Sequence, residues 1–303
     1  MNKQSENEEV LLPIRTISAL TGVNSVTIRA WERRYGLLKP KRTAKGHRLY
    51  TYEHVQQIKK ILALIEQGVS VGQIKETLLT ENIFSHPPQT ENPWRQYQLQ
   101  MRQIISNFEQ FKLDNLYNQI LSLYPIDIVT KYLLLPVFFS LEQDAKEKRC
   151  LAAEYNFFQI FLRNKLGARL HHEGQFVDGP RLLLVSSRVD RDEVIMFLFS
   201  LTALAMGYVV ICLYFNDDTD ELIKAAALIK ARGLVLIGEK LVYEQSSWMD
   251  KQIDQLSIPV FGFTGPTEIK RPINQSKLIP LNSDFRLALE EVKIRLKEMQ
   301  SIE

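Results

Sequence analysis

The chain has 303 residues, of which 45% are hydrophobic and 24% charged, with 38 Lys and Arg against 35 Asp and Glu. This length suits about two domains, and the globular composition excludes a disordered, fibrous or collagen-like chain. The first ten residues are polar, no apolar run is long enough to span a membrane, and there are only two cysteines. We therefore expect a cytoplasmic protein without a secretory leader or a disulfide framework.

The net charge of +3 hides an uneven distribution. Residues 12–60 carry eleven Lys and Arg side chains and two acids, a charge of +9, so the rest of the chain carries −6. A basic segment on an acidic body is typical of nucleic-acid-binding proteins. The alternative is the solvated basic face of an ordinary helical protein.

The first part of the chain is predicted to be helical after a disordered tail at 1–10. A short helix at 16–21 ends at Gly22, and a second helix from Val26 to about Arg34 can be capped by Asn24 or Ser25. Two short helices joined by a glycine-containing turn predict a helix-turn-helix motif. The basic residues 37–50 predict a two-stranded wing, and the apolar spacing predicts further helices at 52–67 and 71–79.

The rest of the chain changes character twice. Residues 81–93 are rich in Pro, Asn, Ser and Thr and predict a linker, and the apolar spacing over 94–174 predicts a four-helix bundle. Over 180–303, helical segments alternate with short apolar runs at 182–186, 208–214, 234–238, 260–263 and 278–281. This alternation predicts a flavodoxin-like, doubly wound parallel sheet, so the fold class is multidomain, α and α/β.

One segment carries a family resemblance. Residues 27–38 read TIRAWERRYGLL, and Lys41-Arg42-Thr43 and Gly46-His47-Arg48-Leu49-Tyr50 follow. Residues 14–79 resemble the MerR family of transcriptional regulators, in the form of its CarH-, CarA-, LitR- and MlrA-type subgroup. The resemblance implies a winged helix-turn-helix domain of residues 11–80 that binds promoter DNA.

The chemistry of the same segment gives candidate DNA contacts. Thr27 and Arg29, early in the second helix, are expected to reach base edges in the major groove, where arginine reads guanine with two hydrogen bonds. Alternatively, Arg33 or Arg34 pairs with Glu32 or Glu53. We predict that Ile28, Trp31 and Leu49 belong to the core. The remaining candidate contacts, mainly to phosphates, are Arg33, Arg34, Tyr35, Lys41, Arg42, His47, Arg48 and Tyr50.

The body of the chain resembles the cobalamin-binding sensory half of CarH/LitR-type regulators but departs from it at the ligand. The family loop Asp-x-His-x-x-Gly reads Asp190-Arg191-Asp192-Glu193-Val194-Ile195 here. A carboxylate is a poorer partner for cobalt than imidazole, and Ile fills space that Gly leaves open. We therefore expect no cobalamin. Other residues that the resemblance implies are also replaced. The family's Trp of the bundle falls near Asp144, its capping His on Tyr155 and its glycine after the second strand on Tyr214, and its paired late glycines fall near Thr264-Gly265.

These observations predict a sequence-specific transcriptional regulator that acts as a homodimer or tetramer on double-stranded promoter DNA. We expect no enzyme activity, no metal site and no membrane partner, with the protein in the cytoplasm on the nucleoid. RNA polymerase and a small effector are further candidate partners. The alternatives are a cobalamin- or light-responsive regulator and a MerR-type sensor of another small molecule.

Overall fold

The computed structural model describes residues 10–79, 92–187, 190–215, 218–239, 241–242, 256–265 and 278–300. The chain forms two compact units, residues 1–157 and 158–303. Residues 1–9 of the predicted tail at 1–10 and residues 81–91 of the predicted linker at 81–93 lie outside the described residues, and Pro93 already begins a helix. None of the described helices is long and apolar enough to cross a membrane.

The first helices of the first unit confirm the predicted helix-turn-helix. The turn between them contains Gly22, whose φ of 71° is a left-handed conformation that glycine adopts without strain. The side chain of Asn24 then accepts a 2.9 Å hydrogen bond from the Val26 N–H and caps the second helix. The helices of this part are α1 (Ile14–Thr21), α2 (Ser25–Ala30), α3 (Tyr52–Glu66) and α4 (Val71–Leu79).

Helix α2 continues into a wider turn. Residues Trp31–Tyr35 form a π-helical turn that ends at Gly36, where φ is 59°. The predicted wing is present as a hairpin, but the sheet has a third strand that the sequence pattern did not indicate. It is antiparallel with the order β1-β3-β2 and consists of β1 (Leu12–Pro13), β2 (Lys41–Arg42) and β3 (Arg48–Tyr50).

A helical bundle completes the first unit. Its core includes Met101, Leu113, Leu133 and Phe138, each at 0% exposure. Helix α9 (Ala152–Gly174) contains the boundary between the two units, at residues 157 and 158. The other elements are α5 (Pro93–Ser106), α6 (Gln110–Leu123), α7 (Ile126–Val129), a π-helical turn (Thr130–Leu134) and α8 (Leu135–Lys146).

The second unit contains a five-stranded, all-parallel sheet in the order β5-β4-β6-β7-β8. This order is that of flavodoxin-like folds and confirms the predicted fold class. The helical segment predicted between the apolar runs at 234–238 and 260–263 lies almost entirely outside the described residues. The strands and helices are β4 (Arg181–Ser186), α10 (Asp190–Ala205), β5 (Val209–Tyr214), α11 (Thr219–Ile229), β6 (Gly233–Ile237), β7 (Val260–Phe263), β8 (Leu278–Pro280) and α12 (Phe285–Gln300).

Candidate nucleic-acid interface

Helix α2 and its π-helical turn have one buried face and one basic face. Ile28 and Trp31 are at 0% exposure, as predicted for core residues. Arg29, Arg33 and Arg34 are exposed. Burial of the apolar face fixes the rotation of the helix about its axis, so the arginines face solvent, where they are available to a duplex.

The structure corrects the role expected for Thr27. Its side chain is only 1% exposed, because Thr27 lies on the buried face beside Ile28. The exposed residue of the first turn is Val26, at 58%, three positions before Arg29. An apolar side chain there suits contact with a thymine methyl group in the major groove. Sequence reasoning missed Val26, although helical periodicity from Ile28 and Trp31 places it on the outer face.

Glu32 lies in the π-helical turn that continues α2, the candidate recognition helix, and it connects the wing to this turn. Its carboxylate accepts hydrogen bonds from Arg42 Nη2 at 2.8 Å and from Arg48 Nε at 2.5 Å. The bond to Glu32 raises the pKa of Arg48. Lys41, Arg42 and His47 are exposed on the wing. Each guanidinium has five N–H donors, so Arg42 retains donors for a phosphate while Glu32 holds it next to α2.

Two other predicted contacts lie inward. Tyr50 is at 0% exposure, stands opposite Leu12 in the sheet and packs edge-on against His54 at 5.6 Å. Burial raises the pKa of Tyr50 to about 12. Tyr50 is therefore a core residue, and the expectation that it contacts DNA is corrected. Tyr35 is half-buried, with its ring beside Gly72 of α4.

The carboxyl edge of the parallel sheet is where the resemblance implies cobalamin. Asp192, in place of the cobalt-binding histidine, is 8% exposed and accepts a 2.9 Å hydrogen bond from the Ser187 hydroxyl. Its carboxylate fills the space beside Gly238, since a methyl group there would lie 2.2 Å from Asp192 Oδ2. Ile195 packs against Gly265. Asp192 and Ile195 stand at the positions where the family resemblance implies a histidine and a glycine.

The side chains at other family positions also form contacts within their own unit. Within the second unit, the Tyr214 hydroxyl donates a hydrogen bond to Glu193. Within the first unit, Asp144 forms ion pairs with Arg102 at 2.7 Å and with Arg149 at 2.6 Å. The side chain of Asp190 lies outside the described residues.

The start of α9 contains one further family position, Tyr155, and the neighbouring Glu154. The ring of Tyr155 packs against Phe138 at 5.2 Å. The buried carboxylate of Glu154 accepts hydrogen bonds from the Leu151 N–H at 3.0 Å and the Ser106 hydroxyl at 2.6 Å. Glu154 therefore caps the helix. Among the described residues, no group of three or more His, Cys, Asp or Glu side chains is arranged to hold a metal ion.

Comparison with known proteins identifies the basic segment. Residues 12–81 match the family described as MerR HTH family regulatory protein. This segment is a MerR-type helix-turn-helix domain. The match covers α1 to α4 and the wing, the same elements that carry the exposed arginines and lysines of the candidate interface.

The MerR-type domain has relatives among regulators from several bacteria. The chain is 34% identical to the HTH-type transcriptional regulator MlrA of Escherichia coli (strain K12) over 127 residues, which are 42% of this chain and 50% of MlrA. It is 42% identical to the HTH-type transcriptional repressor CarA of Myxococcus xanthus over 72 residues, 23% of this chain and 25% of CarA. It is 27% identical to the repressor CarH of the same organism over 169 residues, 52% of this chain and 56% of CarH. The chain thus spans about half the length of MlrA and of CarH.

Proposed function

We propose that this protein is a sequence-specific transcriptional regulator that binds a pseudo-palindromic promoter site as a dimer or higher oligomer. It acts by binding DNA on the nucleoid and not as an enzyme. One observation carries the proposal. Five basic side chains are exposed on neighbouring elements of the MerR-type domain. They are Arg29 of α2, Arg33 and Arg34 of the π-helical turn, and Lys41 and Arg42 of the wing.

The positions of the exposed residues assign base contacts to some of them and phosphate contacts to others. Arg29 and Val26 lie on the outer face of α2, where they can read base edges. The wing cations and the arginines of the π-helical turn suit phosphates, which fix the register of the domain on the duplex. A single small domain buries little surface on DNA, so two domains related by a twofold axis supply the affinity.

Selection of DNA from a random pool with the full chain tests this function. We expect enrichment of an inverted repeat whose half-sites are one helical turn, or a multiple of it, apart. If about six phosphates are neutralised, the affinity should fall roughly a thousandfold between 50 and 200 mM salt. A shuffled version of the enriched site is the control. Equal affinity for the site and its shuffled version would contradict the proposal.

We further propose that regulation does not use cobalamin, because Asp192 and Ile195 fill the loop positions that the ligand needs. An absorbance titration of the full chain with adenosylcobalamin, in the dark and after illumination, should show no bound spectrum. The affinity for the selected DNA should be the same with and without the compound. A light-sensitive bound spectrum would support the alternative of a cobalamin-responsive regulator.

A further inference from the structure

The indole of Trp31 connects the recognition helix to the helical bundle within the first unit. Its Nε1–H donates a buried 2.8 Å hydrogen bond to the carbonyl oxygen of Leu123, 92 positions further along the chain. Trp31 is the first residue after α2, and Leu123 is the last residue of α6. Helices α2 and α6 also pack against each other. The end of one bundle helix therefore holds the recognition helix.

Each partner needs this bond. The indole N–H can only donate, and at 0% exposure Trp31 has no access to water. The last carbonyls of a helix have no partner within it, and Tyr124 leaves the helical conformation with a ψ of 142°. Without the indole donor, the buried carbonyl of Leu123 would lose this bond, which costs free energy. The bond therefore favours the one arrangement of the two helices in which both partners meet.

The same end of α6 contacts a second element of the DNA-binding domain. The Tyr124 hydroxyl is hydrogen-bonded to the backbone of Val71, the first residue of α4. The Tyr124 ring also packs against Trp94 of α5 at 4.7 Å, and Trp94 stacks on Tyr132 at 5.6 Å. Residues 123 and 124 thus contact both the recognition helix and α4, while aromatic packing holds them in the bundle.

Trp31 also lies close to the residues that would read DNA. It follows Arg29 by two positions, about 200° around a helix, so the indole and the guanidinium leave opposite faces. Trp31 begins the π-helical turn, and its carbonyl accepts a 3.1 Å hydrogen bond from the N–H of Leu37, which follows the turn. Such turns occur frequently at functional sites. A small displacement of the indole would therefore tilt Arg29 relative to the groove.

We infer that Trp31 is a positioning residue through which the carboxyl end of α6 sets the orientation of the recognition helix. The bundle thereby sets the preference of the domain for its operator over other DNA. This inference rests on the proposed DNA-binding function. The coupling free energy is the same in both directions. If the end of α6 favours operator binding, operator binding must stabilise the end of α6 by the same amount.

Removal of the indole N–H alone tests the inference. In the full chain, Trp31→3-benzothienylalanine keeps the ring shape but replaces the N–H with sulfur, and Trp31→Phe is the conventional variant. We expect roughly a tenfold loss of affinity for the selected operator, with little change for shuffled DNA. In the unaltered chain, operator binding should slow hydrogen exchange of the amides at the end of α6. In the variants this protection should be lost.

Phe138→Leu is the matched control, because it alters a fully buried aromatic residue of α8 in the same unit. It should lower stability but leave the ratio of operator to shuffled affinity unchanged. An unchanged ratio in the benzothienyl variant would overturn the inference, and so would an equal loss in the Phe138→Leu control. If the unaltered chain shows no preference for any DNA, the proposed function itself fails and the inference with it.

Discussion

Replacement of Arg29 by alanine should remove the discrimination between bases at one position of each half-site. Arg29 is exposed on the outer face of α2, and a bidentate arginine–guanine pair contributes about 1–3 kcal/mol of selectivity. The affinity for the selected operator should therefore fall by roughly 5- to 150-fold per half-site, whereas the affinity for operators already altered at that base pair should hardly change. Affinities for a set of singly substituted operators measure this effect.

Arg42→Ala provides the contrast, because Arg42 lies on the wing and suits a phosphate. This variant should weaken binding to all sequences by a similar factor. The slope of the logarithm of the binding constant against the logarithm of the salt concentration should become less steep by about one. Equal and slight effects of Arg29→Ala and Arg42→Ala on every DNA tested would contradict the roles assigned to both residues.

Gly238→Ala should strongly destabilise the second unit. Gly238 has a φ of 105°, and an added methyl group would lie 2.2 Å from Asp192 Oδ2. Backbone strain and overpacking each cost about 1–3 kcal/mol, so we expect a loss of roughly 3 kcal/mol or more. Urea unfolding of the full chain, followed by circular dichroism, measures the loss as an earlier transition.

Gly207→Ala is the matched control in the same unit. Its φ is 87°, but no described heavy atom lies within 4 Å of the added methyl group. It should cost about 1 kcal/mol from backbone strain alone. The second change Asp192→Ala should recover part of the loss in Gly238→Ala, since it removes the clashing carboxylate. If the two glycine variants lose the same stability, the close packing of Asp192 on Gly238 is wrong.

The packing of Asp192 supports the proposal that regulation does not use cobalamin. The sequence places an aspartate and an isoleucine at positions where the family has histidine and glycine. The structure adds where these side chains lie: Asp192 accepts a hydrogen bond from Ser187 and fills the space beside Gly238, and Ile195 packs on Gly265. Each of the two residues that depart from the family pattern thus packs closely against a glycine.

Much of the architecture followed from local patterns. Gly22 predicted the end of α1 and Asn24 the start of α2, and alternating apolar runs predicted all five strands of the parallel sheet. Helix caps, left-handed turns and hydrophobic periods depend on a few neighbouring residues, so a sequence displays them directly. The third strand of the wing sheet was missed because the two residues Leu12–Pro13 carry no period of their own.

The sequence by itself determined that residues 12–60 are basic, that they form a winged helix-turn-helix and that Arg29 is a candidate base contact. Only the tertiary structure decided that Thr27 and Tyr50 are buried, that Val26 is exposed and that Glu32 holds the wing. It alone brought the indole of Trp31 to the carbonyl of Leu123. Such outcomes depend on which distant segment packs on each side chain, and local patterns do not record that choice.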